Sequence, residues 1–303
     1  MPEAEIHDHD RGLTFDLSTL FNRRRVLFGA AGTGALAFLA ACGSSAKTTA
    51  IPINSAAAPS TTTASTGVAS TTASTGVAST TASTTAATTT ASTTGLVAVP
   101  EETAGPFPGD GSNGAQVLTA SGIVRSNVRT SFGSSTTDAT GVKTSIQLTL
   151  IDVSTGKPLP GAAVYIWHCD AAGRYSMYSP GATNENYLRG VQTSDANGLV
   201  TFLSYYPACY TGRWPHIHYE VYPSIDKITQ SSNKIATSQI ALPDDVNKAV
   251  FATSLYSASV DNYSQISLAT DMVFSDGTTN ETPTVTGDVS TGYTIAMKVP
   301  VSV

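Results

Sequence analysis

From about residue 100 to residue 303, apolar and polar residues alternate with the period of two that is typical of β-strands. In the segment SIQLTLIDV, for example, Ile146, Leu148 and Leu150 would all face one side of a strand. Residues that favour turns, namely Gly, Pro, Asn and Asp, separate the further segments of this kind. These segments are AAVYIWHC, NGLVTFLS, PHIHYEVYP, ATSQIAL and GYTIAMKVPVSV. The pattern predicts an all-β domain, an antiparallel β-sandwich with long loops.

One segment of this domain, PDDVNKAVFAT, has the features of a helix. Pro243 stands first and acidic residues occupy the opening turn, where both are favoured. We therefore expect one short helix in the sandwich. Residues 100–303 are long enough to bury a core of their own, and we interpret them as a single domain.

The first 42 residues have a different pattern, which is that of an export signal. Three arginines at positions 23–25 precede an apolar run from Val26 to Ala41. NRRRVL resembles a twin-arginine signal, and LAAC resembles a lipobox, in which cleavage leaves Cys42 to carry lipid. We expect an exported lipoprotein on the extracytoplasmic side of a bacterial membrane, attached to it only through lipid on Cys42.

Residues 43–99 consist almost entirely of Ser, Thr and Ala. The nine-residue unit ASTGVASTT starts at Ala64 and again at Ala73. Such a composition buries too little apolar area to offset the entropy of ordering the chain. We predict a disordered tether. The net charge of −6 and the 13% of charged residues show no basic surface, so a nucleic-acid partner is not expected.

Two of the five histidines of the chain, His216 and His218, stand two residues apart in PHIHYEVYP. On a strand they share one face with Glu220 and Tyr222, so two imidazoles project side by side. Neutral imidazole is the commonest metal ligand among side chains. By itself this pair fits a metal site and also fits ordinary half-exposed residues of a sheet.

Three segments around this pair resemble the core of the intradiol ring-cleaving dioxygenases, non-haem ferric enzymes that open catechols. They are ETAGPFPGDG (102–111), PLPGAAVYIWHCDAAGRYS (158–176) and NYLRGVQTSDANGLVTFLSYYPACYTGRWPHIH (186–218). The resemblance covers most of residues 100–245. It implies one Fe(III) per chain, held by two tyrosines and two histidines, and an active-site arginine and glutamine. The matching residues are Tyr175, Tyr210, His216 and His218 for the metal, and Arg213 and Gln239 for the other two roles.

The chemistry of this residue set agrees with the family. Phenolate is a hard anionic donor that favours a trivalent iron over zinc or copper. The resemblance implies an oxidoreductase that cleaves a catechol between its hydroxyl-bearing carbons, incorporates both atoms of O2 and gives a cis,cis-muconate-type product. It further implies that Tyr210 leaves the metal and takes a substrate proton, and that Arg213 stabilises developing negative charge.

A non-catalytic β-sandwich binding module on a lipoprotein tether would have the same composition and strand pattern. Taken one at a time, the tyrosines fit packing positions, Arg213 a surface ion pair and Gln239 a solvated strand position. The joint spacing of Tyr175, Tyr210, His216 and His218 favours the enzyme, because a module without catalysis has no use for it.

Cys169 and Cys209 lie inside these motifs, at positions where the family more often has small or aromatic residues. Two cysteines in an oxidising compartment are a candidate disulfide, and two buried thiols are the alternative. Each stands close in sequence to a tyrosine assigned to the same iron. We predict a Cys169–Cys209 bridge.

Overall fold

The computed structural model describes residues 95–303, and this part of the chain is mostly β-structure. Within it, eight strands form two four-stranded sheets. In chain order the strands are β1 (Lys143–Asp152), β2 (Ala163–Trp167), β3 (Arg189–Thr193), β4 (Leu199–Tyr205), β5 (His216–Tyr222), β6 (Ala236–Ala241), β7 (Thr284–Asp288) and β8 (Gly292–Val301). All six segments with predicted strand patterns contain strands, whereas β3 and β7 were not predicted.

The strand order is β4-β1-β8-β7 in the first sheet and β3-β2-β5-β6 in the second. Every neighbouring pair is antiparallel except β1 and β8, which are parallel. This pair departs from the fully antiparallel arrangement that the sequence predicts. β8 forms a hairpin with β7. Because all the other strands lie between β1 and β8 in the chain, no tight turn sets the direction of the β1–β8 pair.

One buried hydrophobic cluster contains side chains from both sheets. Ile146, Leu148 and Leu150 of β1 belong to it, which are the residues whose alternation predicted that strand. From the second sheet it includes Val164 and Ile166 of β2. The two sheets therefore share one core.

Strand β5 is buried along its whole length. Ile217 and Tyr219 point into the shared core. His216 and His218 face the other side, where loop residues including Gly105 cover the sheet. This covered outer face of the second sheet holds the residues singled out in the sequence.

Two α-helices occur in the described residues, α1 (Asp244–Phe251) and α2 (Ser257–Ser264). α1 is the predicted helix, with Pro243 at its N-cap. α2 was not predicted, because Ser259 is its one buried residue and no apolar periodicity marks it. Short 3-10 turns occur at Ile225–Lys227, Ser231–Asn233, Ser254–Tyr256, Leu268–Thr270 and Phe274–Asp276.

The predicted export signal with Cys42 and nearly all of the predicted tether lie outside the described residues. Within residues 95–303, no helix has the length and apolar character that crossing a membrane requires.

Candidate metal centre

Two histidine side chains lie against each other on one face of β5. His216 and His218 are each 2% exposed, and their Nε2 atoms are 3.1 Å apart. Strand geometry sends the intervening Ile217 to the opposite face, into the hydrophobic cluster. The sheet thus holds two imidazoles at a fixed separation.

Backbone contact sets the orientation of the His216 ring. Its Nδ1 lies 2.5 Å from the carbonyl oxygen of Trp214. Because a carbonyl only accepts hydrogen bonds, Nδ1 carries the proton and Nε2 keeps its lone pair. Burial lowers the pKa of His216 well below its usual range, and the charge of Arg213 lowers it further. The neutral ring therefore presents Nε2 as a metal donor.

Aromatic packing sets the orientation of the His218 ring. It stacks on Trp167 with ring centroids 4.8 Å apart and planes inclined by 3°. The two residues are directly paired between β2 and β5. Burial lowers the pKa of His218 well below its usual range, with further contributions from His216 and Arg213. Among the described residues its Nδ1 has no hydrogen-bond partner, so stacking on Trp167 and the contact of its Nε2 with His216 hold this ring.

Two phenol hydroxyls complete the cluster. The Tyr210 hydroxyl is 3.2 Å from Nε2 of His216 and 3.4 Å from the hydroxyl of Tyr175. Tyr175 is 1% exposed, whereas Tyr210 is half-buried. All four residues that the sequence assigned to a metal are thus brought together.

A compact turn between β2 and β3 positions Tyr175. Asp170 Oδ1 accepts hydrogen bonds from the backbone N–H groups of Ala172 and Arg174, both at 2.9 Å. Its Oδ2 pairs with the Arg174 guanidinium at 2.8 Å. The backbone N–H of Tyr175 then donates to Ser179 Oγ at 2.9 Å. Asp170 thus has a structural role in this turn.

Helix α2 holds the backbone next to Tyr210. Cys209 N donates to Ser259 Oγ, and Asn262 Nδ2 donates to the Cys209 carbonyl, each at 3.0 Å. Both partners lie on α2, so a helix absent from the sequence prediction anchors one of the predicted ligands.

Arg213 and Gln239 meet beside the histidines. An Arg213 terminal nitrogen donates to Gln239 Oε1 at 2.7 Å, and Gln239 Nε2 donates to the Thr103 carbonyl at 2.9 Å. Gln239 lies directly opposite His218 in the β5–β6 pair. The structure therefore places both predicted residues next to the cluster.

The segment ETAGPFPGDG forms a wall of the same site. Gly105 has φ +67°, and a Cβ there would lie 3.4 Å from Cε1 of His218. The ring of Phe107 packs on Tyr175 with centroids 5.1 Å apart. The buried Arg189 donates to the Phe107 carbonyl at 2.9 Å and ties this wall to β3.

Sequence reasoning missed two buried charged residues near the site, Arg189 and Asp271. Arg189 shares a strand face with the buried Val191, and a charge at such a position was the available signal. No pattern marked Asp271, whose carboxylate pairs with Arg213 from a distant irregular segment.

The structure corrects the predicted disulfide, because Cys169 and Cys209 are both buried free cysteines. Each thiol faces a backbone carbonyl, that of Ala208 for Cys169 and that of Arg213 for Cys209. Burial raises the pKa of both thiols, that of Cys209 to about 12. The two backbones do meet, since Ala208 N donates to the Asp170 carbonyl at 3.3 Å, but the thiols are directed at carbonyl oxygens and not at each other.

The donor set fits a hard trivalent cation such as Fe(III). Among residues 95–303, no group of three or more His, Cys, Asp and Glu side chains could hold a metal, so the histidine pair needs the two tyrosines. Burial raises the pKa of Tyr175 well above its usual range, and the neighbouring Tyr210 raises it further. Phenolates in this position require a compensating cation.

Comparison with known sequences gives matches over part of the chain. Residues 126–249 match the model of a protein family described as Dioxygenase. A catechol 1,2-dioxygenase of Pseudomonas sp. (strain EST1001) is 40% identical over 57 residues, which are 19% of this chain and 18% of that protein. The intradiol ring-cleavage dioxygenase prcA of Aspergillus niger is 37% identical over 62 residues, 20% and 19% of the two chains. The matched segments thus span about a fifth of these relatives.

Comparison with solved structures covers more of the chain. An intradiol ring-cleavage dioxygenase from Tetranychus urticae, 24% identical, superposes with a TM-score of 0.55 over 68% of this chain and 95% of that one. This likeness shows a shared fold. The chain is therefore similar to the intradiol ring-cleavage dioxygenases, both in the family model that it matches and in its fold. This similarity confirms the resemblance predicted from its motifs.

Proposed function

We propose that the protein is an extracytoplasmic, non-haem Fe(III) dioxygenase that cleaves a catechol between its two hydroxyl-bearing carbons. The product would be of the cis,cis-muconate type, with both atoms of O2 incorporated. The observation that carries this proposal is the convergence of two phenol hydroxyls and two imidazole Nε2 atoms through contacts of 3.1–3.4 Å. The similarity to intradiol dioxygenases supports the reaction class.

Tyr175, Tyr210, His216 and His218 would hold one iron per chain. Bound Fe(III) would supply a Lewis acid for both catechol oxygens and a redox centre for the reaction with O2. The two phenolates would offset two of its three charges. Because both histidines are neutral, the remaining charge is available to an anionic ligand or substrate.

The two tyrosines would have different roles. Tyr175 is fully buried within a hydrogen-bonded turn, which suits a permanent ligand. Tyr210 is half-buried on the β4–β5 loop, which suits a ligand that leaves when substrate arrives. A departing phenolate can accept a catechol proton, since the two kinds of hydroxyl have similar acidity.

Arg213 would stabilise the negative charge that develops as the ring opens. Its guanidinium stays protonated at any working pH and is 1% exposed, so its field acts in a site of low polarity. Gln239 would fix the direction of this guanidinium through the contact at 2.7 Å. The wall formed by Gly105 and Phe107 would border the bound aromatic ring.

The location rests on the sequence of the first 42 residues. An export signal ending at a lipid-bearing Cys42 would place the domain on the extracytoplasmic side of a bacterial membrane. The Ser/Thr/Ala-rich residues 43–99 would separate it from the membrane surface.

The experiment is to purify the chain, measure its iron and visible absorption, and follow O2 uptake and products with catechol and substituted catechols. We expect about one iron per chain, a red to burgundy colour from tyrosinate-to-iron charge transfer, and a dicarboxylic product. A colourless protein that stays inert after ferric loading would overturn the proposal. An aldehyde product would show cleavage outside the two hydroxyl-bearing carbons and would overturn the intradiol assignment.

A further inference from the structure

Residues 254–276, which follow the family-matched residues 126–249, bring a carboxylate to Nε of Arg213, whose terminal nitrogen contacts Gln239. Oδ2 of Asp271 lies 3.0 Å from Nε of Arg213, and the side chains are 0% and 1% exposed. Asp271 thus supplies a fully buried counter-ion to the proposed active-site arginine from outside the matched segment.

We propose that Asp271 is a positioning residue of the reaction, acting on the site through Arg213. This inference rests on the proposed function. It adds to that function a residue which the motifs did not indicate and which touches none of the four proposed ligands directly.

Two contacts converge on one carboxylate oxygen. Besides Arg213 Nε, Oδ2 of Asp271 accepts the backbone N–H of Trp214 at 2.6 Å. The carbonyl of Trp214 in turn accepts the Nδ1 proton of His216 at 2.5 Å. One oxygen therefore fixes both the guanidinium and the residue that orients a proposed metal ligand.

The carboxylate is itself held in place. Its Oδ1 accepts the backbone N–H groups of Val273 at 2.8 Å and Phe274 at 3.1 Å. The Phe274 ring lies 5.9 Å from the Arg213 guanidinium carbon and 6.4 Å from the His216 ring centroid. The Asp271 carboxylate is thus held rigidly, and the Phe274 ring lies near both Arg213 and His216.

Such an anchor has a physical use in this site. A free arginine side chain carries about 2 kcal/mol of rotamer entropy, and charge stabilisation works best when the donor needs no reorganisation during the reaction. Asp271 holds the guanidinium at Nε while Gln239 holds it at a terminal nitrogen. The carboxylate also compensates a buried charge that would be costly without a partner.

The test compares Asp271→Asn, Arg213→Ala and the double variant in the full-length, iron-loaded protein. Asp276→Asn is the matched control, since it removes an exposed carboxylate of the same segment. We expect Asp271→Asn to keep the charge-transfer colour and to bind catechol anaerobically. The reaction of bound catecholate with O2 should slow by roughly 10- to 100-fold. Asp276→Asn should react like wild type.

The double variant decides whether Asp271 acts through Arg213. In the Arg213→Ala background, the Asp271→Asn change should slow the O2 reaction by less than about two-fold. Effects that multiply in the double variant, or an Asp271→Asn variant that behaves like Asp276→Asn, would overturn the proposal. If Asp271→Asn does not fold, Asp271→Glu takes its place. It keeps the charge but displaces it by one methylene, and the same slowing is expected.

A readout without iron separates this inference from the proposed function. Thermal unfolding of the four metal-free proteins should show strong non-additivity between Asp271→Asn and Arg213→Ala, because each removes one partner of the same buried pair. Additive effects would contradict the coupling itself. A wild-type protein that binds no iron and cleaves no catechol would instead refute the proposed function, whatever the unfolding cycle shows.

Discussion

The hydroxyl oxygens of Tyr175 and Tyr210, which are 35 positions apart in the chain, lie 3.4 Å from each other. One comes from the turn after β2 and the other from the loop before β5. Burial and the neighbouring Tyr210 raise the pKa of Tyr175, so its phenol is poorly placed to ionise unless a cation lies between the two tyrosines and the histidines. The predictions on the metal follow from this relationship.

Replacing Tyr175 by Phe should abolish the visible colour or shift it strongly. The substitution removes a buried ligand that no neighbouring side chain is placed to replace. His216→Ala should do the same. Tyr178→Phe is the control, because the Tyr178 hydroxyl bonds to Gly109 N and Asn113 outside the cluster. Absorption spectra and iron analysis check this, and an unchanged spectrum for Tyr175→Phe would contradict the ligand assignment.

Replacing Tyr210 by Phe should leave part of the iron bound and reduce turnover by roughly 100-fold or more. Phenylalanine can neither complete the metal shell nor accept the substrate proton. Tyr205→Phe, at the end of β4, is the matched control, since the Tyr205 hydroxyl bonds to Asp138 outside the cluster. Steady-state O2 uptake together with iron content measures both effects. Turnover at the wild-type rate in Tyr210→Phe would show that this tyrosine is structural.

Cys169 and Cys209 should both carry free thiols in protein isolated without reductant. Both are buried, and burial raises the pKa of each, so alkylating reagents should reach them only after denaturation. Peptide mapping with one label before unfolding and a second label after it tests this. Recovery of the two cysteines in one linked peptide would contradict the structure.

Six of the eight strands in the described residues could be predicted because short-range alternation encodes them, and the four converging ligands because their motifs resemble those of a known family. Alternation identified β1, and the motifs around Tyr175 and His216 gave the cluster residue by residue. β3 lacked a clear pattern because both of its faces are covered, with Arg189 buried by loop carbonyls. The parallel β1–β8 pair depends on the path of the whole domain.

Other parts of the site depend on contacts between distant segments. Asp271 reaches Arg213 across 58 positions, and α2 holds Cys209 through two polar side chains without an apolar stripe. No local rule of sequence relates such positions. The disulfide prediction failed for a different reason: the backbones beside the two cysteines do meet, with Ala208 N donating to the Asp170 carbonyl at 3.3 Å, but each thiol faces a backbone carbonyl instead of the other thiol.

The last prediction concerns Glu281, a carboxyl group on the core side of β6. It is 0% exposed, its Oε1 accepts a hydrogen bond from Ser238 at 3.4 Å, and its Oε2 has no hydrogen-bond partner within residues 95–303. Burial raises the pKa of Glu281 from 4.5 to about 8, and the nearby carboxyls, Glu102 first, add to the rise. Burial likewise raises the pKa of Glu102 to about 7.

The sign of the effect on stability follows from proton binding. Between pH 4.5 and 8 the folded protein keeps the Glu281 proton while the unfolded chain releases it. The contribution of Glu281 to the free energy of unfolding should therefore be fully present below pH 4.5 and be lost as the pH rises to about 8. Release of one such proton changes the free energy of unfolding by at most about 1.4 kcal/mol per pH unit. Glu102 acts in the same direction over the window from pH 4.5 to about 7.

The Glu281→Gln substitution should remove the part of the pH dependence of stability that comes from Glu281, because glutamine is uncharged at every pH. Urea unfolding of the metal-free protein at several pH values should show the variant gaining stability relative to wild type from pH 5 to pH 8. Asp245→Asn, which removes an exposed carboxyl at the start of α1, controls for the loss of a negative charge and should show no such gain. A stability difference between Glu281→Gln and wild type that stays constant across this range would mean that Glu281 is ionised in the folded protein and that a cation or a bound water compensates its charge.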